Sequence, residues 1–114
     1  MIGMNRRAYL QSGPNQPVNH NFPKRIMSKL ARRFNPTWFK AYKHWLEYSV
    51  AKDAAYCLCC YLMRGETNDQ AGGDSFVVDG FIYWKNGLEQ FDIHVGGPNS
   101  SHNQAWRKCL DLMK

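Results

Sequence analysis

The stretch that decides the fold is KDAAYCLCCYL, residues 52–62, which carries three of the four cysteines in this chain of 114 residues. Its first two residues favour a turn, and apolar residues alternate along the chain just before it, over residues 46–50. We therefore predict a β-hairpin whose first strand ends near residue 50 and whose second strand covers residues 55–62. The second strand carries a Cys-x-x-Cys pair, Cys57 and Cys60.

Two cysteines at this spacing are typical of a metal site, because zinc binds four thiolate or imidazole ligands in a tetrahedron. His94 and His102 supply the second pair, and the Gly96-Gly97-Pro98 loop between them can turn both imidazoles inward. Seven residues separate the histidines and 33 separate the two pairs, which exceeds the usual finger spacing, although the excess is loop. We predict a structural Zn²⁺ site with four protein ligands, which leaves no position for a catalytic water.

Other interpretations of these residues remain open. Cys59 is assigned to packing, and Cys109 is the first substitute as a ligand if His94 does not bind the metal. The whole set is also compatible with a core of buried thiols and two satisfied histidines. A redox pair requires the two cysteines at a helix N-terminus after a strand, whereas the sequence around Cys57 is strand-like.

The chain before the hairpin divides at Asn35-Pro36, a helix-start signal with Asn as the cap and Pro at the first helical position. The predicted helix ends near Trp45. Residues 1–34 contain three prolines and no sustained period, so we expect a largely extended arm, in which the apolar spacing is compatible with a short helix over residues 24–33. The folded domain is expected to comprise residues 35–114.

Two more helices are predicted after the hairpin. They follow a polar loop over residues 65–73 and an apolar segment at residues 76–78, which forms a brief third strand or an anchor. The first helix begins after Gly80 and carries His94 near its end. The second begins at Ser101, where the sequence fits a capping box, and runs to Met113. The predicted fold class is a small α+β zinc-bound domain: a helix, the cysteine hairpin and two helices with the histidine pair.

Charge is distributed unevenly along the chain. Residues 1–52 hold ten Lys or Arg against one acid, and residues 53–114 hold five against eight. A basic half of this kind indicates a polyanionic partner, and we expect DNA. The candidate phosphate contacts are Arg32, Arg33, Lys40, Lys43, Lys85, Arg107 and Lys108. No apolar run approaches the ~20 residues of a membrane helix, and the first residues lack a signal-peptide core, so we expect a soluble intracellular protein.

Several segments together resemble the TTF-type zinc finger found near the N-terminus of proteins related to hAT-type transposases and to MYM-type zinc finger proteins. They are Arg32-Arg33-Phe34, residues 45–49, residues 52–62, Gly80-Phe81 with Trp84-Lys85, and residues 94–102. The plant members look closest, given residues 96–100. The resemblance implies zinc ligation by Cys57, Cys60, His94 and His102, DNA binding and a nuclear location. In full-length relatives a transposase-like catalytic region follows the finger.

The function that these observations favour is a zinc-dependent DNA-binding module of a transposase-derived protein. Because the chain stops at Lys114, we expect no catalytic domain and no strand transfer, and no catalytic set of residues emerges. Neither a membrane nor a small-molecule substrate is expected as a partner. The alternatives are a zinc module for protein–protein interaction and a truncated, non-catalytic transposase remnant.

Overall fold

The computed structural model describes residues 5–65 and 75–114. Its α-helices are α1 (Arg6–Ser12), α2 (Trp38–Ala41), α3 (Leu58–Leu62), α4 (Gly87–Val95) and α5 (Ser101–Leu112). Its strands are β1 (Arg25–Met27), β2 (Leu30–Arg32), β3 (Leu46–Ser49) and β4 (Ala54–Cys57). These elements confirm the predicted small α+β fold. Most of the polar loop predicted over residues 65–73 lies outside the described residues.

The predicted cysteine hairpin is formed by β3 and β4, which pair antiparallel with Leu46 opposite Cys57. Its turn contains Asp53, as expected. The second strand ends at Cys57, however, and the prediction that it continues to Leu62 is wrong. From Leu58 the chain is helical, because Leu58 and Leu62, four residues apart, lie on one face of α3 and are both buried. The Cys-x-x-Cys pair therefore lies at a strand-to-helix junction.

The third strand predicted at residues 76–78 is absent, and Ser75–Asp79 forms a π-helical turn instead. Backbone pairing with β4 is supplied by Phe81, whose N–H donates to the Ala55 carbonyl at 2.8 Å and whose carbonyl accepts from Ala55 at 2.9 Å. Phe81 is buried in this position. Residues 76–78 thus act as an anchor through Phe76, which is stacked on Phe81 with ring centroids 5.1 Å apart.

Gly80 makes the approach of Phe81 to β4 possible. Its φ is +88°, and a Cβ at this position would lie 2.5 Å from the Cβ of Ala54 and 2.8 Å from the hydroxyl of Tyr56. We expect Gly80→Ala to lower the free energy of unfolding by about 2–4 kcal/mol, because it combines an unfavourable backbone conformation with overpacking. Urea denaturation followed by tryptophan fluorescence measures the change. Gly97→Ala, whose Cβ meets no atom within 4 Å, is the control and should change stability little.

The helix predicted from Asn35-Pro36 begins two residues later than expected, at Trp38 with Thr37 at the cap, and is shorter. Asn35 accepts hydrogen bonds from the Thr37 backbone N–H at 2.9 Å and from the Thr37 hydroxyl at 2.8 Å. Helix α2 ends at Ala41, and turns then lead to Trp45. The Leu46 N–H donates to the Tyr42 carbonyl, which closes this turn and directs the chain into β3. The early end of the helix places the Trp45 ring beside His94 and His102.

The segment before residue 35 contains more structure than the expected arm. Helix α1 was not predicted. Its cap is Asn5, whose side-chain oxygen accepts a hydrogen bond from the Ala8 N–H. Strands β1 and β2 form a hairpin, so a helix over residues 24–33 is wrong. Ser28 and Lys29 close the hairpin with positive φ angles of 50° and 68°, the geometry of a tight two-residue turn.

The boundary predicted at residue 34 does not divide the packing of the described chain. Phe22 and Phe34, which flank the β1–β2 hairpin, are buried and lie 4.8 and 4.9 Å from the Tyr48 ring, measured between centroids. Asn15 and Gln16 donate side-chain hydrogen bonds to the carbonyls of Tyr48 and Leu46. Residues 15–34 are therefore attached along the outside of the β3–β4 hairpin.

The two C-terminal helices position the histidines as predicted, with shifted starts. Helix α4 begins at Gly87, after a 3-10 turn at Trp84–Asn86, because Phe81 is used in pairing with β4. Helix α5 is capped by Ser100, one residue before the predicted cap, and the Ser100 hydroxyl accepts from the Asn103 N–H at 3.1 Å. Among the described residues, no helix has the length and apolar character needed to cross a membrane.

Candidate metal centre

Five sulfur- and nitrogen-bearing side chains meet where β4, α3, α4 and α5 converge. Cys57 is the last residue of β4, and Cys59 and Cys60 lie in the first turn of α3. His94 lies in the last turn of α4, and His102 lies in the first turn of α5. Strand β4 and helix α3 are consecutive in the sequence and are separated from α4 and α5 by the residues between 62 and 87, so the cluster joins the hairpin to the C-terminal helices.

The side-chain atoms of this cluster lie at short distances from one another. The His102 Nδ1 atom is 3.4 Å from the Cys57 sulfur and 3.6 Å from the Cys60 sulfur. The His94 Nε2 atom is 3.5 Å from the Cys60 sulfur and 3.2 Å from His102 Nδ1. The Cys59 sulfur is 3.5 Å from that of Cys57 and 4.0 Å from His102 Nδ1. The ligand atoms of Cys57, Cys59, Cys60 and His102 all lie within 4.8 Å of one another.

Burial and hydrogen bonding set the protonation of the thiols. Burial raises the pKa of the Cys57 thiol. Hydrogen bonds with Cys109 and Cys57 raise the pKa of Cys59, whereas hydrogen bonds with Cys57 and Cys59 lower the pKa of Cys60 well below its usual range. A thiol must lose its proton to bind a metal, so metal binding releases protons from this cluster.

The chemistry of the donors fits zinc. Among the described residues, three thiols and two imidazoles without a carboxylate form the soft and borderline set that Zn²⁺ prefers, whereas Mg²⁺ and Ca²⁺ require oxygen ligands. Cys57, Cys59 and His102 are buried, and Cys60 and His94 are half-buried. A site with four such ligands holds structural Zn²⁺, because no coordination position is left for water.

Aromatic rings and a tied loop hold the two histidines in place. The Trp45 ring lies 5.1 Å from His94 and 5.2 Å from His102, and the Phe76 ring lies 4.3 Å from His94, measured between centroids. The Asn103 amide donates to the Gly97 carbonyl at 2.8 Å, which folds the Gly96-Gly97-Pro98 loop against α5. These contacts fix the positions of the two imidazoles in the folded domain.

The structure brings together all four residues of the predicted site and adds Cys59, which sequence reasoning had assigned to packing. The signal that was missed is the strand-to-helix junction, which turns the cysteines at 57, 59 and 60 toward one point. The same junction places the cysteine pair at a helix start after a strand, which is the arrangement that a redox pair requires. The two imidazoles beside the thiols favour the metal instead.

The predicted DNA contacts are not part of this cluster. All seven side chains are exposed. They lie in four places: at the end of the β1–β2 hairpin, in and just after α2, in the 3-10 turn before α4, and in α5. The Arg107 guanidinium donates to the Pro98 carbonyl at 2.8 Å. The remaining six are Arg32, Arg33, Lys40, Lys43, Lys85 and Lys108.

The fold and the cluster define a small zinc-binding module. Comparison with known proteins agrees with this class. Residues 74–114 match a family model, DUF4371, described as the ZMYM1/FAM200, RNase-like domain. The chain is similar to Zinc finger MYM-type protein 5 of Mus musculus, with 33% identity over 88 residues, and to that of Homo sapiens, with 34% identity over 82 residues.

The similarity covers 69% of this chain for the mouse protein and 65% for the human protein. The chain spans 13% and 12% of the length of these relatives. No solved structure matches the chain. The chain is therefore similar to a zinc finger MYM-type protein over a short part of that protein's length.

Proposed function

We propose that the chain is a zinc-dependent, DNA-binding module of the TTF type from a transposase-derived protein, with Zn²⁺ bound by Cys57, Cys60, His94 and His102. The observation that carries the proposal is the combination of a zinc cluster with a strongly basic N-terminal half whose Lys and Arg side chains are mostly exposed. The metal holds the hairpin and the helices together. The cations then supply affinity for phosphate.

Distances within the cluster support this ligand set. Zinc bonds of about 2.3 Å to sulfur and about 2.0 Å to nitrogen place tetrahedral sulfur and nitrogen ligands about 3.5 Å apart, and two nitrogens about 3.3 Å apart. Three of the four sulfur–nitrogen distances in this set, 3.4, 3.5 and 3.6 Å, and the nitrogen–nitrogen distance of 3.2 Å agree with these values. The 4.0 Å between Cys59 and His102 is longer. We therefore propose His94 as the fourth ligand, and the set with Cys59 in its place, whose ligand atoms all lie within 4.8 Å of one another, is the alternative.

Phosphate binding is supported by the position of the cations. Eight of the ten Lys and Arg in residues 1–52 are exposed, among them Arg32, Arg33, Lys40 and Lys43, and the half contains a single acid, Glu47. Glu47 accepts a hydrogen bond from the Asn15 N–H, so its charge is partly used within the fold. A module of this kind acts by binding in the nucleus and needs no catalytic group.

The proposal is tested by titrating duplex DNA with the zinc-loaded chain at several salt concentrations. With about 5 phosphate contacts, the logarithm of the binding constant should fall with a slope near −4.5, which is about a 500-fold loss of affinity between 50 and 200 mM salt. Electrophoretic mobility and fluorescence anisotropy both measure this. Chelated protein is the control and should lose the binding. Absence of a salt-sensitive shift would favour the interaction-module alternative.

A further inference from the structure

The β1–β2 hairpin is a cationic ribbon that the packing of the domain does not explain. Residues 24–33 contain five cations and no acid: Lys24, Arg25, Lys29, Arg32 and Arg33. All except Arg25 are exposed. Within the described part of the chain, the four exposed cations have no acidic partner. The ribbon thus carries four uncompensated positive charges on ten residues.

The register of the ribbon places two of its five cations side by side. Arg25 pairs directly opposite Arg32. Like charges at opposed positions of an antiparallel pair destabilise the pair. Asp53 compensates Arg25, whose Nε donates to the carboxylate at 2.8 Å, but no described residue compensates Arg32. An anion bound from outside would relieve this repulsion.

Two of the apolar side chains of the ribbon are also exposed. Ile26 is 81% exposed and Leu30 is 40% exposed. Ile26 is paired with Ala31, so one face of the ribbon is apolar at its centre. Basic residues precede Ile26 and follow Ala31 in the sequence. This composition is suited to the major groove of DNA, where small apolar side chains contact thymine methyl groups and Arg or Lys contacts phosphates and guanine.

The base of the ribbon is fixed to the domain. Phe22 and Phe34, on either side of it, are buried with ring centroids 5.1 Å apart. Asp53 holds the ribbon from the side, since it accepts hydrogen bonds from Arg25 and, at 2.5 Å, from the Tyr48 hydroxyl. A ribbon anchored in this way presents its charges in one orientation, which lowers the entropy lost on binding.

We propose that the β1–β2 ribbon enters the major groove of B-form duplex DNA, an inference that rests on the DNA-binding function proposed above. Three residues in each strand span about 10 Å, which is comparable with a major groove about 8.5 Å deep. Two strands about 4.8 Å apart fit its width of about 12 Å. The deep, narrow major groove of A-form RNA does not admit them.

Binding of a fluorescent DNA duplex to the zinc-loaded full chain tests the ribbon. The variant Lys29→Gln/Arg32→Gln should bind at least about tenfold more weakly at 100 mM salt, and its salt slope should be about 2 units flatter. The control Lys52→Gln/Lys114→Gln removes the same charge from exposed sites outside the ribbon and should change affinity less than about threefold. Ile26→Ser should weaken binding about threefold or more without changing the salt slope.

Two further measurements identify the groove. Bound protein should protect guanine N7, a major-groove atom, from methylation, and an RNA duplex of the same sequence should bind at least about fivefold more weakly. Equal loss of affinity in the ribbon and control variants, or equal binding of RNA, overturns the ribbon as the groove-binding element while DNA binding stands. Failure of the unmodified chain to bind any duplex overturns the proposed function itself, and the ribbon with it.

Discussion

Removal of zinc is expected to unfold the domain. The cluster joins the β4–α3 segment to α4 and α5, two parts of the chain separated by the residues between 62 and 87, and a structural zinc site contributes on the order of 10 kcal/mol. The whole stability of a domain of this size is about 5–15 kcal/mol. Without the metal, thiols and imidazoles would remain buried with few partners, which adds a further cost. We expect chelated protein to lose most helical ellipticity at 222 nm and to show no cooperative melting transition.

The experiment requires a verified metal content and a specific rescue. Zinc is measured on the native protein, where one equivalent is expected, and again after chelation. Adding Zn²⁺ to the chelated chain should restore the ellipticity and the melting transition, whereas Mg²⁺, which prefers oxygen ligands, should not. A chain that is free of zinc and keeps its ellipticity and melting temperature would show that the aromatic core alone maintains the fold.

The aromatic core is the second source of stability in the domain, beside the metal. Phe34, Tyr48 and Phe91 are fully buried, and the Phe34 ring contacts both Tyr48 and Trp84. Trp45 connects this packing to the metal centre through its contacts with Phe91 and His94. The aromatic core and the metal centre are therefore parts of one packed unit, and both contribute to its stability.

Local sequence signals predicted the elements that they specify directly. The alternation of Leu46 and Tyr48 gave the correct strand, and Gly96, with φ of +66°, ends α4 where expected. Asn35 and the serines before Asn103 mark the starts of α2 and α5 to within a few residues. In each case neighbouring residues determine the backbone, so tertiary packing is not needed for the prediction.

Elements that depend on distant contacts were not predictable in the same way. Residues 58–62 resemble a strand in composition, yet they are helical because Leu58 and Leu62 pack on one side. Phe81 has the spacing of a helix residue but pairs with Ala55. The β1–β2 hairpin lacks the usual glycine or asparagine in its turn, which hides it from sequence patterns. Cys59 joins the cluster only because the chain changes from strand to helix at Cys57.

Substitution of individual ligands should decide between His94 and Cys59 as the fourth ligand. We expect His94→Ala to weaken zinc binding at least about 100-fold, since a missing ligand costs more than the 10–100-fold typical of an outer-shell contact. Cys59→Ala should keep one equivalent of zinc and lower the free energy of unfolding by about 1 kcal/mol, the effect of removing a small buried side chain. Competition with a chromogenic chelator measures the affinities.

Cys109→Ala is the matched control for Cys59→Ala, because both thiols are buried and the Cys109 sulfur lies 4.0 Å from the Cys59 carbonyl. Both variants should bind zinc equally well. Cobalt substitution adds a count of the thiolates, since the charge-transfer absorption grows with the number of cysteine ligands: Cys59→Ala should leave it unchanged, and Cys57→Ser should reduce it. If Cys59→Ala instead loses the metal and His94→Ala keeps it, the ligands are Cys57, Cys59, Cys60 and His102, and the half-buried His94 only covers the site.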